Sequence, residues 1–168
     1  MTSTVGIIDQ THYRSVMGHL PTGVVALSGI SDSYPHPCGL VVGTFASLSL
    51  DPPLVTFSVA TSSTSWPKVR AAGRLCASVL AAGQEGVTRA LSSRQPDKFA
   101  AIDWSLSEFG SPRIDGAHAW IDCEISHELD GGDHVIVIAR VLHMQVGDGE
   151  PLVFHKGRLS GHRELVAA

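Results

Sequence analysis

Apolar residues near the start of the chain recur with the spacing of an α-helix. They stand at positions i, i+3, i+4 and i+7: Tyr13, Val16, Met17 and Leu20. The segment 21–23 (PTG) should end this amphipathic helix. Residues 65–73 (SWPKVRAAG) predict a second, short helix, because a hydroxyl cap, an early proline and a final glycine are typical of helix ends. Residues 84–93 predict a third helix, with Val87 and Leu91 facing inward.

Most other apolar residues form short β-rich runs. The predicted strands cover residues 24–28, 40–50, 54–59 and 75–80, with a turn at 31–37. In residues 119–126 apolar and polar side chains alternate, which predicts a half-exposed strand with Trp120 and Asp122 among its outward side chains. Residues 135–146 should be its antiparallel partner, and residues 94–112 an irregular connection.

The elements together predict a mainly β fold with short helices. No repeat, low-complexity tract or linker divides the sequence, so we expect a single domain over residues 1–168. Six or more strands at short spacing favour a closed or nearly closed antiparallel barrel.

Composition narrows the possible functions. Hydrophobic residues make up 43% and aromatic residues 6%, so the core should consist of aliphatic side chains. A net charge of −4 argues against nucleic-acid binding, which needs clustered Lys and Arg. Three widely spaced cysteines with no CxxC pair suggest reduced thiols, and no segment has the ~18 apolar residues of a membrane span. We therefore expect a cytoplasmic protein that does not enter a membrane.

Familiar catalytic motifs are missing from the sequence. It has no GxSxG, Walker, HExxH or GxGxxG pattern. Its nine histidines are scattered singly, so we expect no metal site.

The segment 38–55 (CGLVVGTFASLSLDPPLV) is the first candidate for ligand binding. Gly43 interrupts an apolar run, and glycine in a strand permits close approach by another group. We expect Ser47 and Ser49 on one face of this strand, opposite core-facing Leu48 and Leu50. The strand could present its backbone to the pyrimidine edge of a flavin, or it could be a solvated sheet edge.

Two further segments carry candidate chemistry. Residues 62–67 (SSTSWP) place four hydroxyls before a helix, which fits a phosphate site with Lys68 and Arg70 nearby, or a simple N-cap. Residues 131–134 (GGDH) suit an ordinary hairpin turn. They also place His134 at a strand entrance, where its imidazole could contact a ligand.

In this order, the segments resemble the short-chain flavin reductases, the reductase components of two-component flavin-dependent monooxygenases. The similarity continues through PDKFAAIDW, GAHAWIDCEI and PLVFHKGRL and so spans most of the chain. It implies an FMN-binding split barrel, Greek-key-like and homodimeric. It also implies that NADH or NADPH reduces an exchangeable FMN or FAD, which then serves a partner monooxygenase.

The resemblance also implies site residues. The flavin would lie against the backbone of Val41, Val42, Gly43 and Thr44, with Ser47 and Ser49 towards the ribityl chain. Ser62, Ser63, Thr64 and Ser65 would meet phosphate, and Phe99 would sit beside the flavin. Ser78 would be a further flavin contact, and the family often has Asn at its position and at that of Gly43. Gly132, Asp133 and His134 would contact the nicotinamide, with Arg158 as a further candidate in a tail where Leu159 replaces the family's common Tyr.

The implied chemistry needs no nucleophilic side chain, since hydride transfer belongs to the two nucleotides and the protein orients them. We expect His134, the one candidate catalytic residue, to position the nicotinamide. Two alternatives stay open. One is another split-barrel oxidoreductase, such as a pyridoxamine-phosphate-oxidase-like enzyme or a cobalamin or ferric reductase. The other is a non-catalytic flavin- or haem-binding module.

Overall fold

The computed structural model describes residues 8–162, which fold into short helices and a larger number of β-strands. The helices are α1 (Gln10–Met17), α2 (Trp66–Arg70) and α3 (Glu85–Leu91). The first half of the chain holds β1 (Thr22–Gly23), β2 (Val25–Gly29), β3 (Cys38–Val42), β4 (Ala46–Leu50), β5 (Pro53–Ala60) and β6 (Arg74–Val79). The second half holds β7 (Trp104–Leu106), β8 (Pro112–Ile114), β9 (Ala119–Asp130), β10 (His134–Val146), β11 (Leu152–His155) and β12 (Arg158–Gly161). The ends of the predicted domain, residues 1–7 and 163–168, lie outside the described residues.

A seven-stranded antiparallel sheet dominates the fold. Its strand order is β3-β2-β6-β9-β10-β5-β4, and the long β9–β10 hairpin runs through its middle. Thr44, in the connection that follows β3, is bonded to β5: its hydroxyl donates to the Ser58 carbonyl oxygen (3.1 Å) and accepts from the Ser58 N–H (2.9 Å). The prediction of a mainly β, nearly closed antiparallel barrel is confirmed, and the barrel remains split between its two end strands, β3 and β4.

Two hydrophobic cores lie on opposite faces of β2, which is buried along its whole length. The first fills the barrel and contains Phe57 packed edge-on against Trp66, with ring centroids 5.6 Å apart. The second lies beneath α3 and includes Leu91 and Phe99. Both predicted inward residues of α3, Val87 and Leu91, pack into this second core.

The predicted strand 40–50 is wrong as a single element. The chain leaves β3 after Val42 and enters β4 only at Ala46. The expected core positions Leu48 and Leu50 are instead 48% and 95% exposed. Strand β4 pairs only with β5 at the edge of the sheet, and a register shift between Ser47 and Ser49 breaks the alternation of its faces.

The predicted exposure of β9 is also wrong for its first half. Trp120 and Asp122 are buried, because the small β7–β8 hairpin and its loop cover this face of the strand. The Trp120 indole N–H donates to the Ile114 carbonyl oxygen (2.7 Å), and the Ser107 hydroxyl donates to Asp122 Oδ1 (2.6 Å). Burial raises the pKa of the Asp122 carboxyl above its ordinary value, although the Ser107 hydrogen bond opposes that change.

Helix α1 forms where the sequence predicts it, but its apolar stripe is not covered. Tyr13, Val16 and Met17 are all exposed, and no residue of α1 is buried. Among the described residues, no helix combines the length and hydrophobicity needed to cross a membrane.

Candidate functional site

The principal candidate site is an open cavity of about 520 Å³ at the split in the barrel, which we call the central cavity. This volume lies within the usual range for ligand sites. Nine of the residues proposed from the sequence line it: Val41, Val42, Gly43, Thr44, Ser62, Ser63, Thr64, Ser65 and His134. Segments far apart in the sequence therefore meet around one space.

Strand β3 supplies a backbone wall for this cavity. It is the last strand of the sheet and pairs only with β2, so one edge of its N–H and C=O groups has no strand partner in residues 8–162. Such an edge can match the alternating donors and acceptors of a flavin pyrimidine ring. The residues present therefore fit the ligand class that the sequence predicted.

Gly43 lines the central cavity and also has a packing role that the sequence did not indicate. A Cβ at this position would lie 2.8 Å from Thr22 Oγ1, so the close neighbour of the glycine is a β1 side chain. The missing side chain lets β1 pack against the end of β3. Contact between Gly43 and a ligand would still be through its backbone.

The loop of residues 61–65, which we call the hydroxyl loop, is hydrogen-bonded to the turn of residues 131–134 that carries His134. Both the N–H and the hydroxyl of Thr61 donate to the Asp133 carbonyl oxygen, each at 3.0 Å. Gly132 has φ +82°, a conformation that favours glycine, and the turn closes the β9–β10 hairpin. The hairpin interpretation is confirmed, and the same turn carries His134 into the cavity wall.

The start of α2 offers fewer free backbone donors than the sequence suggested. The Trp66 N–H donates to Ser63 Oγ (3.1 Å), and Pro67 has no N–H. Ser63 Oγ therefore takes up one first-turn N–H, whereas the N-cap residue itself, Ser65, makes no capping bond with its side chain. Ser62 and Thr64 keep their hydroxyls free of recorded partners within the described chain, whereas Ser65 Oγ accepts from the Lys98 ammonium (2.8 Å).

His134 is oriented by its neighbour in the chain. Its Nδ1 lies 2.6 Å from Asp133 Oδ1, and this hydrogen bond lowers the pKa of the exposed Asp133 carboxyl. Because Nδ1 is engaged by the carboxylate, Nε2 is the ring nitrogen left to hydrogen-bond with a ligand.

A second cavity adjoins the first on the far side of this histidine. It measures about 610 Å³, and we call it the adjacent cavity. Thr44, Ser58 and His134 line both spaces. The other side of the adjacent cavity is formed by α1, including Tyr13 and Arg14, neither of which the sequence pattern indicated as a site residue.

Of the three basic side chains near the central cavity, the sequence indicated only Lys68, and Arg94 and Lys98 went unpredicted. Arg94 lines the central cavity, and Lys98 and Lys68 line a neighbouring cavity with it. The DKF motif drew attention to Phe99, whereas the adjacent Lys98 is the residue with a side chain at the cavity. Arg70, expected to add charge near the phosphate, instead forms an ion pair with Glu128 (2.6 Å).

Several proposed site residues lie away from the central cavity. Ser78 is fully buried, its hydroxyl accepts from the Ile114 N–H (3.1 Å), and it does not line the central cavity. Phe99 packs in the second core against Trp104, behind β3 rather than beside the cavity. The remaining residues outside its lining are Ser47, Ser49, Gly132, Asp133 and Arg158, of which Asp133 lines the adjacent cavity.

A smaller cleft of about 200 Å³ lies on the other side of the end of β3. Leu159, the position where the resembling family commonly has Tyr, lines it together with Phe154 and Thr88. The buried Thr88 hydroxyl has no hydrogen-bond partner within residues 8–162. No group of three or more potential metal ligands occurs within the described residues.

Comparison with known proteins gives a consistent result. A family model described as a flavin reductase like domain matches residues 17–162. A Pseudomonas putida protein named flavin reductase is 43% identical over 92% of this chain and 91% of its own length. The reductase subunit HsaB of a flavin-dependent monooxygenase from Mycobacterium tuberculosis is 41% identical over 92% of this chain and 83% of its own. The crystal structure of a nitrilotriacetate monooxygenase component B homologue from Mycobacterium thermoresistibile superposes with a TM-score of 0.88 at 39% identity, covering 95% of this chain and 91% of that one.

Proposed function

The chain belongs to the flavin reductase like family, and we propose that it transfers a hydride from NADH or NADPH to FMN or FAD. The reduced flavin then leaves to supply a partner monooxygenase. The relatives named as monooxygenase reductase subunits support this second step.

The observation that carries the proposal is the meeting of two cavities at His134. Hydride transfer requires two nucleotides side by side, and the central and adjacent cavities share Thr44, Ser58 and His134 in their walls. We assign the flavin to the central cavity, because its wall is the unpaired edge of β3. The nicotinamide takes the adjacent cavity.

Hydroxyls and ammonium groups near the central cavity suit the flavin phosphate. Thr64 and Ser65 can donate to phosphate oxygens, and Lys98 brings a positive charge to Ser65 Oγ at 2.8 Å. The riboflavin ring would then extend from this loop towards Val41–Gly43. That direction places the reacting part of the flavin near His134 rather than near α2.

We propose that His134 acts as a positioning residue for the nicotinamide. Asp133 fixes the imidazole through the 2.6 Å hydrogen bond between Oδ1 and Nδ1, so Nε2 can hydrogen-bond to the carboxamide of the nicotinamide. The histidine then needs no change of protonation during the reaction.

Catalysis in this arrangement comes mainly from proximity. The bound flavin supplies the hydride-accepting ring, and the protein holds the two nucleotides together and limits the access of water. Both cavities are open and several lining hydroxyls are exposed, which suits a flavin that dissociates after reduction.

The first experiment is a steady-state assay. Purified protein is mixed with NADH or NADPH and with FMN or FAD, and loss of the reduced nicotinamide absorbance is followed. The proposal predicts flavin-dependent oxidation and a raised KM for the nicotinamide nucleotide in His134→Ala. His127→Ala is the matched control, because His127 is an exposed histidine of β9 that lines neither cavity.

The assay also separates the alternatives. A non-catalytic flavin- or haem-binding module would bind its ligand without oxidising NADH or NADPH. Unchanged turnover and KM in His134→Ala would remove the positioning role while leaving flavin reduction intact.

We further propose a homodimer formed by a single-domain chain. Edge strand β4 leaves one row of backbone groups without a strand partner in residues 8–162 and exposes Leu48 and Leu50 beside it. A second copy of the chain can cover both the apolar side chains and this edge.

A further inference from the structure

Helix α1 turns a polar face towards the adjacent cavity. Gln10, Tyr13 and Arg14 line this cavity, and they stand at positions i, i+3 and i+4, which lie on one side of a helix. A surface helix ordinarily packs an apolar face against the body of its protein. In α1 no residue is buried, and the apolar side chains of Val16 and Met17 do not line the cavity. The face that borders the cavity is therefore suited to a polar ligand.

Arg14 brings the only permanent positive charge to this cavity, among the described residues that line it. Within residues 8–162 no carboxylate lies within ion-pair distance of its guanidinium, whereas Arg70, Arg74 and Arg140 are each paired with a glutamate. A guanidinium presents its N–H donors in a planar arrangement that matches the oxygens of a phosphate. Arg14 is therefore able to bind an anion without first leaving an ion pair.

The opposite wall of the adjacent cavity carries a negative charge. Asp133 lines this wall beside His134, and its carboxyl is exposed. The hydrogen bond from His134 is the main reason that the pKa of Asp133 is lowered, and the positive charge of Arg14 lowers this pKa further. The carboxylate is therefore ionised at neutral pH and would repel a phosphate placed near the histidine. A phosphate on the α1 side of the cavity, at Arg14, avoids this repulsion.

The order of groups in a nicotinamide nucleotide matches the order of groups across the cavity. Thr44, Ser58 and His134 stand where the adjacent cavity meets the central cavity, and in the proposed function this junction holds the nicotinamide ring. In the nucleotide a ribose separates the ring from the diphosphate. The diphosphate therefore extends away from the flavin and towards α1, where Arg14 supplies the positive charge. The cavity volume of about 610 Å³ is within the range of ligand sites.

We propose that Arg14 binds the diphosphate of NADH or NADPH and so makes this protein selective for dinucleotide hydride donors. This inference rests on the proposed placement of the nicotinamide in the adjacent cavity. It gives α1 a part in binding the dinucleotide that no sequence pattern indicated. Arg14 does not contact the reacting ring, so its loss should weaken binding of the donor and leave the rate of hydride transfer nearly unchanged.

The test compares two hydride donors that share the same reducing ring. NADH carries the diphosphate, whereas N-benzyldihydronicotinamide carries no phosphate. Flavin-dependent oxidation of each donor is measured in the wild type and in Arg14→Gln, which keeps a polar side chain and removes its charge. The KM for NADH should rise about five- to twentyfold with little change in kcat, as expected for loss of one charge-assisted contact in an open cavity.

The other two measurements on Arg14→Gln locate the contact. The kinetic constants for N-benzyldihydronicotinamide should stay close to those of the wild type, because this donor has no group for Arg14 to bind. The KM for NADPH should rise by the same factor as the KM for NADH, because both nucleotides carry the diphosphate.

Arg89→Gln is the matched control. Like Arg14, Arg89 lies in the last turn of a short helix, but it belongs to α3 and lines none of the cavities described above. This variant should keep the wild-type KM for both donors. Arg14→Lys keeps the charge without the planar donor group, so its KM for NADH should lie between those of the wild type and Arg14→Gln. Flavin titrations, followed by quenching of flavin fluorescence, should give the wild-type affinity in all three variants.

Four results would overturn the inference. An unchanged KM for NADH in Arg14→Gln would show that the guanidinium does not contact the dinucleotide. Equal losses with NADH and with N-benzyldihydronicotinamide would show that Arg14 acts on the ring or on the structure of α1. A rise in the KM for NADPH alone would place Arg14 at the 2′-phosphate. Weaker flavin binding in Arg14→Gln would place it at the flavin phosphate.

A binding measurement separates this inference from the proposed function. Titration of NADH into protein without flavin, followed by nicotinamide fluorescence, does not depend on turnover. Weaker NADH binding by Arg14→Gln, in a protein that oxidises neither donor, would contradict flavin reduction and leave the diphosphate site standing. Flavin-dependent oxidation of NADH with the same KM and the same affinity in both proteins would do the reverse.

Discussion

The contact between Gly43 and Thr22 gives a prediction whose size can be worked from the structure. In Gly43→Ala the new Cβ would lie 2.8 Å from Thr22 Oγ1, closer than side-chain carbons normally approach. The next neighbours, Thr22 Cβ at 3.5 Å and the Gly23 carbonyl oxygen at 3.7 Å, are at ordinary contact distance. The clash therefore comes from one oxygen atom.

Two effects of opposite sign decide the result. Crowding of a packed site costs about 1–3 kcal/mol, and the loss of glycine freedom in the unfolded chain returns about 0.4–1 kcal/mol. Gly43 does not have a positive φ, so alanine adds no backbone strain. We expect Gly43→Ala to lower the free energy of unfolding by about 0.5–2 kcal/mol, a fall in Tm of roughly 2–6 °C for a chain of this size.

The assay is a double-mutant cycle with Thr22→Ala, measured by urea unfolding at one protein concentration. Removing Thr22 Oγ1 removes the clash, so Gly43→Ala should cost little or nothing in the Thr22→Ala background, with a coupling of about 1 kcal/mol. The double variant should also keep its flavin affinity, because the cavity wall is backbone. Equal costs of Gly43→Ala in both backgrounds would refute the assignment of Gly43 to β1 packing.

Three further predictions concern other parts of the molecule. Asp133→Asn should raise the KM for NADH several-fold with a smaller effect on kcat, since the imidazole of His134 loses its charged partner; unchanged kinetics would show that the pair is incidental. Asp122 has a raised folded-state pKa, so its contribution to stability is most favourable at low pH and is lost as pH rises from the ordinary Asp range through the folded pKa. Asp122→Asn, which keeps an acceptor for Ser107, should remove this loss in urea unfolding across that pH range, and an identical pH profile would contradict the assignment. Leu50→Asp should shift the protein from dimer to monomer in light scattering, whereas Leu106→Asp, also at an exposed leucine but on β7, should not; dimers in both variants would exclude the β4 interface.

The periodicity of apolar side chains was sufficient to predict most of the helices and strands and the fold class. The helices at residues 84–93 and 65–73 and the β9–β10 hairpin could be predicted because their side-chain patterns depend on local geometry. The errors arose where tertiary position overrode the pattern. Leu48 and Leu50 alternate like core residues but lie on an edge strand, and Asp122 is polar but covered by the β7–β8 hairpin. Neither fact is encoded in the spacing of the residues concerned.

The part of the site that lies on the end of β3 and on the two neighbouring loops could be predicted from the sequence. Residues 41–44, the hydroxyl loop and His134 converge on one cavity, as their order in the sequence suggested. Arg94 and Lys98 could not be identified as site residues, because residues 94–112 show no periodicity. Only the fold brings their charged groups to a cavity. The burial of Ser78 away from the cavity could not be predicted, because residue identity does not reveal which buried N–H the hydroxyl contacts. The homodimer and the cytoplasmic location stay predictions.

The most direct test of the central claim is a single-turnover measurement under anaerobic conditions. Protein loaded with FAD or FMN is mixed with NADH, and bleaching of the flavin absorbance is followed. If the flavin and the nicotinamide occupy the two cavities that meet at His134, the wild type should reduce flavin far faster than the same mixture without protein, and His134→Ala should require higher NADH to reach its limiting rate. Bleaching no faster than in free solution would contradict the claim that this site brings the two nucleotides together.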